Sequence, residues 1–155
     1  MKPQEAIILC GGFGTRLKPV MSDLPKPMAK IGNKHFLEYV LSFLQRSGIK
    51  HVILSVGYKA AIIQNYFNDT YHGLRISYSM EEKQLGTGGA VVFSLRAADD
   101  EDVIIMNGDT MFPVPINDLY EYHCAKRATL TMALKEINKK LKRREICSLI
   151  MAQVL

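Results

Sequence analysis

The sequence predicts an α/β protein with a Rossmann-like, mainly parallel sheet and helices on both faces, and three observations carry that expectation. Short apolar runs recur at Ala6-Ile7-Ile8-Leu9, His51-Val52-Ile53-Leu54-Ser55-Val56 and Val103-Ile104-Ile105-Met106, as strands buried on both sides require. Segments with helical spacing separate them. A glycine-rich turn follows the first run directly, at the carboxyl end of that strand, where open α/β sheets bind their ligands.

The elements follow in order. After the first strand and its turn, Phe36, Leu37, Val40, Leu41 and Leu44 recur at helical spacing and the segment closes at Ser47-Gly48. His51 to Val56 is the second strand, which completes one crossover unit. Lys59 to Phe67 forms a short helix with Ile62, Ile63 and Phe67 apolar, and Leu74, Ile76 and Tyr78 alternate as the third strand. Gly88 to Arg96 returns to helix, with Thr87 placed to cap it. Val103 to Met106 is the fourth strand, Leu119 to Arg127 a further helix, and Leu130, Met132 and Leu134 alternate as a fifth strand.

Composition narrows the class. A chain of 155 residues with 48% apolar and 23% charged residues suits one globular domain. The net charge of +5 is spread along the chain until Lys139, so a small anionic ligand accounts for it and a nucleic acid is not expected. Cys10, Cys124 and Cys147 have no metal-ligand spacing and an odd count, which argues for a reducing, cytoplasmic setting. No apolar run approaches the roughly 18 residues that span a bilayer, so no membrane partner is expected.

The glycine-rich turn reads Cys10-Gly11-Gly12-Phe13-Gly14-Thr15-Arg16-Leu17, and Lys26 follows between Pro25 and Pro27. It fits neither the G-x-G-x-x-G dinucleotide pattern nor the G-x-x-x-x-G-K-[ST] loop. What remains is a turn whose backbone N–H groups approach an anion, with Arg16 as a planar fork for phosphate and Lys26 as a second fixed charge. Asn107-Gly108-Asp109 follows the fourth strand, so Asp109 shares a sheet edge with the turn and can hold a divalent cation against phosphate. Leu85-Gly86-Thr87-Gly88-Gly89 opens a helix, where small residues let a flat base or ribose approach backbone amides. Glu81, Glu82, Lys83 and Gln84 before it can offer polar contacts to a base edge, or form a solvated charged stretch. His35, His51, His72 and His123 are scattered and read as surface or helix residues, and Cys10 and Cys124 read as packing residues.

Taken in order, Gly11 to Leu17, Pro25-Lys26-Pro27-Met28, Leu85 to Gly89 and Asn107-Gly108-Asp109 resemble the sugar-1-phosphate nucleotidyltransferases over about Ala6 to Ile137. The wording is most similar to the heptose 1-phosphate and mannose 1-phosphate guanylyltransferases. The resemblance implies a nucleotide-diphospho-sugar transferase type of fold. It also implies transfer of a nucleotidyl group from an NTP, GTP favoured, to a sugar 1-phosphate, with Mg²⁺ as cofactor and pyrophosphate released. On this basis Arg16 and Lys26 are catalytic and Asp109 holds the metal. Gly11, Gly12, Gly14 and Thr15 lie beside the nucleotide, and Gln84, Gly86, Thr87 and Gly88 near its base and ribose. A homo-oligomer is compatible with this reading.

The resemblance sets a core at residues 1–137 and a divergent basic tail at 138–155, which begins Lys139-Lys140-Leu141-Lys142-Arg143-Arg144 and departs from the family pattern. The later strands that supply sugar contacts in the family are not recognised there. A truncated transferase is the expectation, with a basic, partly amphipathic terminal helix as the plain alternative. Two functional alternatives stand beside it: a non-catalytic nucleotide-binding or regulatory module, and a uridylyl- or thymidylyltransferase acting on another sugar 1-phosphate.

Overall fold

The computed structural model describes residues 2–12, 24–134 and 149–153. Its centre is β1, Glu5–Leu9, in which Ala6, Ile7 and Ile8 are fully buried. Two parallel neighbours flank it, β4 (His51–Val56) and β7 (Asp102–Asn107), and β6 (Leu74–Met80) continues the parallel set beyond β4. Among the described residues, four α-helices lie between or after these strands: α1 (Phe36–Arg46), α2 (Ala60–Phe67), α3 (Gly86–Leu95) and α4 (Ile116–Lys126). The mainly parallel sheet expected from the double-sided apolar runs is therefore present.

Strand periodicity divides the core into two layers. Ala6, Ile8, Val52, Leu54, Ile104 and Met106 face one side and pack with α1, α2 and α4. Ile7, Ile53, Val103 and Ile105 face the other and pack with Val91 and Leu95 of α3. Leu37, Val40, Leu41 and Leu44 make the i, i+3, i+4, i+7 stripe of α1, and all four are fully buried. Burying each such side chain contributes about 1.5–3 kcal/mol. The amino end of α1 is held by the His35 backbone N–H, which donates to Glu38 Oε2 at 2.6 Å.

The sheet edges differ from expectation. Beyond β6 lies the short antiparallel β5 (Thr70–Tyr71), joined to it by His72 and Gly73, whose φ angles of 47° and 85° give the doubly left-handed turn that suits a tight hairpin. A separate ribbon pairs β2 (Lys30–Ile31) with β3 (Lys34–His35). Beyond β7 the order is β9 (Leu149–Gln153) and then β8 (Leu130–Ala133), both pairings antiparallel. The fifth expected strand is thus real, but a later segment separates it from the parallel set. Over 149–153 the terminal-helix alternative is corrected: Leu149-Ile150-Met151-Ala152 is an apolar run suited to a covered strand, and the preceding basic run concealed it. Residues 135–148 of the expected tail lie outside the described residues. Among the described residues, no helix is long and apolar enough to cross a membrane.

Candidate functional site

β1 and β7 run parallel in register, with Leu9 opposite Asn107, so the segments that follow them emerge side by side. Backbone bonds fix both exits: Cys10 N–H donates to Ser55 O at 2.7 Å, and Gly108 N–H to Leu9 O at 2.9 Å. Gly108 must lack a side chain. A Cβ there would stand 2.8 Å from Cys10 Sγ, 3.1 Å from Leu9 O and 3.2 Å from Pro27 Cγ. This close packing brings Asp109 over the end of β1.

Lys26 begins a short 3-10 turn, Lys26–Met28, with Pro25 before it and Pro27 within it. Its Nζ lies 3.4 Å from Asp109 Oδ2, and Thr110 Oγ1 donates to Asp109 Oδ1 at 3.2 Å. The pair is partly exposed, 28% for Lys26 and 44% for Asp109, so it contributes at most about 1 kcal/mol to stability. Both groups remain available to a ligand. Cys10, directly beneath, is buried; burial first and the Asp109 charge second push its thiol far up, so it stays protonated and serves as packing.

On the other wall, Gly86 opens α3 with φ of 70°, a left-handed value that turns the chain from the loop into the helix. The helix therefore starts two residues earlier than the sequence suggests. Leu85 is its N-cap, and Thr87 lies in the first turn rather than at the cap. Gly11, Gly12, Lys26, Gln84, Gly86, Thr87 and Asp109 line one cleft together with Asn107. Gly88 is exposed on α3 and does not line it. Gly14, Thr15 and Arg16 lie outside the described residues.

Sequence reasoning set Glu81 within a charged stretch and did not single it out. In the structure Glu82 and Lys83 are exposed, whereas Glu81 forms the cleft wall opposite Gly11. Ser55 Oγ donates to its Oε1 at 3.0 Å, and Leu85 N–H to its Oε2 at 3.3 Å. A Cβ on Gly11 would meet Oε1 at 2.8 Å, so the glycine permits this approach. The available signal was its position, at the end of a strand immediately before the glycine-rich helix entry.

The expectation of surface or helix histidines holds for the exposed His72 and the helical His123, whereas His51 needs correction. His51 is buried on β4, and His35 precedes α1 with Nδ1 2.6 Å from Met28 O. His123 Nδ1 lies 2.7 Å from Thr131 Oγ1, and His72 occupies the β5–β6 turn. None lines the cleft.

A cleft between a glycine turn, a fixed lysine, a carboxylate and a helix amino end suits a phosphate ligand, and this chain belongs to the nucleotidyl transferase family, matched over residues 5–143. Among curated relatives, it is 50% identical over 135 residues to the D-glycero-alpha-D-manno-heptose 1-phosphate guanylyltransferase of Aneurinibacillus thermoaerophilus, covering 87% of this chain and 59% of that protein. The Campylobacter jejuni protein of the same name is 45% identical, over 86% of this chain and 58% of that protein. The chain therefore spans somewhat under two thirds of these relatives. Of solved structures, HddC from Yersinia pseudotuberculosis superposes with a TM-score of 0.77 at 26% identity, covering 97% of this chain and 76% of that one.

Proposed function

We propose that this chain carries the nucleoside triphosphate side of a guanylyl transfer to a sugar 1-phosphate, heptose 1-phosphate favoured. The observation that carries the reading is the convergence of Lys26 and Asp109, 3.4 Å apart, on the glycine turn at the carboxyl ends of β1 and β7. The relatives' names support the guanine base and the heptose acceptor.

In this reaction an oxygen of the sugar phosphate attacks the α-phosphorus of GTP. A new P–O bond forms, the bridging bond to the β-phosphate breaks, and its electron pair leaves with pyrophosphate. The attacking phosphate is already anionic near neutral pH, so positioning and charge stabilisation suffice without a general base. That fits a cleft lined, among the described residues, by no histidine, with a cysteine held protonated. Lys26 steadies the triphosphate and the departing pyrophosphate, and Arg16 is assigned the same work. The amino end of α3, at Gly86 and Thr87, presents backbone N–H groups to the nucleotide, with Gln84 beside them.

Asp109 suits Mg²⁺, because the ion takes oxygen ligands and commonly one or two carboxylates together with substrate phosphates. The 3.4 Å approach of Lys26 Nζ supports this reading, since it already sets a positive charge against this carboxylate. When bound, Mg²⁺ would offset the negative charge of the triphosphate.

Glu81 supports guanine over other bases. A carboxylate is acceptor-only with about four acceptor positions, and Ser55 and Leu85 use one on each oxygen. The remaining acceptor on each oxygen matches the paired N1–H and N2–H donors of guanine. Adenine, cytosine and uracil lack two adjacent donors on that edge.

The test is pyrophosphate release from GTP, dTTP, UTP, CTP and ATP, each with heptose or mannose 1-phosphate and Mg²⁺, alongside calorimetric GTP binding. Release with GTP supports the proposal. GTP binding without release from any pair would assign a binding module instead, and absence of nucleotide binding would remove both.

A further inference from the structure

A second constellation lies at the opposite end of the sheet. Glu5, His51 and Arg75 occupy directly paired positions on β1, β4 and β6, so their side chains form a row across three adjacent strands. Asp99, from the loop between α3 and β7, completes the group: a histidine nitrogen and two carboxylates lie within 4.8 Å of one another. Glu5 and His51 are 3% and 5% exposed.

The contacts at His51 Nδ1 are contradictory as hydrogen bonds. Glu5 Oε1 approaches it at 2.5 Å and Arg75 Nη2 at 2.7 Å. A carboxylate oxygen only accepts and a guanidinium nitrogen only donates, while Nδ1 offers either one proton or one lone pair. Either protonation state leaves one of these close neighbours mismatched. A metal ion removes the conflict, because deprotonated Nδ1 and the carboxylate oxygen can both donate lone pairs to it. Arg75 Nη2 marks where a positive charge is accommodated, 3.4 Å from Glu5 Oε1 and 2.9 Å from Asp99 Oδ2.

The surroundings already orient the donors as metal ligands are oriented. His51 Nε2 lies 2.8 Å from Ser77 Oγ, which fixes the ring. Glu5 Oε2 accepts from the Asp99 and Asp100 backbone N–H groups at 2.6 and 2.8 Å, leaving Oε1 for the ion. One imidazole and two carboxylates favour Zn²⁺ over Mg²⁺, which takes oxygen ligands, and three protein ligands leave one position for water.

We propose that Glu5, His51 and Asp99 form a Zn²⁺ site at the amino end of the sheet, in which the ion displaces the guanidinium of Arg75. The site clasps β1, β4 and the approach to β7. Any proton on Nδ1 passes to solvent as the ion binds. The site is separate from the cleft and does not depend on the proposed transfer reaction.

Calorimetric titration of Zn²⁺ into the full chain, with Cys124→Ser and Cys147→Ser to remove thiol binding, tests the proposal. One equivalent is expected to bind. Arg75→Ala, which removes the competing charge, tightens binding by about tenfold. Ser77→Ala, Asp99→Asn and His51→Gln each weaken it, by about tenfold or more. Co²⁺ in place of Zn²⁺ gives a visible absorption band that His51→Gln abolishes. The proposal is overturned if no stoichiometric ion binds, if Arg75→Ala leaves affinity unchanged or lowers it, or if Asp99→Asn has no effect. Asp99 is 76% exposed, so its variant reports even where His51→Gln fails to fold.

Discussion

Lys26 Nζ and Asp109 Oδ2 lie 3.4 Å apart although 83 positions separate them in the chain. The contact arises because β1 and β7 are neighbours and Gly108 packs on Cys10, so it reports the folded sheet edge directly. On the proposed function, its electrostatics are expected to make GTP affinity depend on metal in a way that can change sign. Without metal the Asp109 carboxylate repels a triphosphate, and Asp109→Asn is expected to bind GTP more tightly in EDTA. With Mg²⁺ the same variant is expected to bind more weakly, whereas Lys26→Ala weakens binding in both conditions. Titrations with and without Mg²⁺ check this crossover, with melting temperature nearly unchanged in each variant.

Glu81→Gln exchanges one acceptor for a donor on the cleft wall. Wild type is expected to prefer GTP over ITP, which lacks the N2 amino group, by about tenfold to a hundredfold, the range for hydrogen bonds to a charged group. The variant is expected to lose most of that preference. The GTP-to-ITP affinity ratio separates a lost base contact from general weakening.

Gly108→Ala places a methyl group against Cys10 Sγ, Leu9 O and Pro27 Cγ. Overpacking at such a point costs about 1–3 kcal/mol. Denaturant unfolding should show this loss, and adding Cys10→Ala should recover only part of it, because the Leu9 carbonyl remains.

Leu41→Ala empties the centre of the α1 stripe. A loss of about 2–5 kcal/mol is expected by denaturant unfolding, since the side chain is fully buried between helix and sheet.

Glu38 titrates below its ordinary value of 4.5: burial raises it, but bonds from Tyr71 OH at 2.5 Å and the His35 backbone N–H outweigh that effect. A depressed carboxyl adds stability that is full above pH 4.5 and disappears as pH falls through the lower folded value. The stability gap between wild type and Glu38→Gln should therefore narrow on acidification below that point. A gap unchanged across the acid range would contradict it.

The parallel centre was legible because Ala6–Leu9, His51–Val56 and Val103–Met106 are apolar on both faces, a pattern that neither a surface strand nor an amphipathic helix produces. Lys26, Asp109 and the Gly86 turn were legible for a related reason: each sits at an element boundary where backbone geometry restricts residue choice. β9 was hidden because its apolar run follows a basic stretch, and β2, β3 and β5 are too short to establish a period. Glu81 acquires its place from Ser55 and Leu85, and His51 from its register with Glu5 and Arg75. Those relationships appear only when strands distant in sequence are aligned side by side.

The central position of β1 also determines when the sheet can close. Ala6 pairs with Val52 on one side and Ile104 on the other, so this strongly apolar strand acquires its second neighbour only after most of the described chain exists. During synthesis it remains exposed along one edge, a hazard for self-association that later sequence alone relieves. Folding yield should therefore be set by how long nascent β1 waits for β7, and slowing elongation between them should lower recovery of soluble protein.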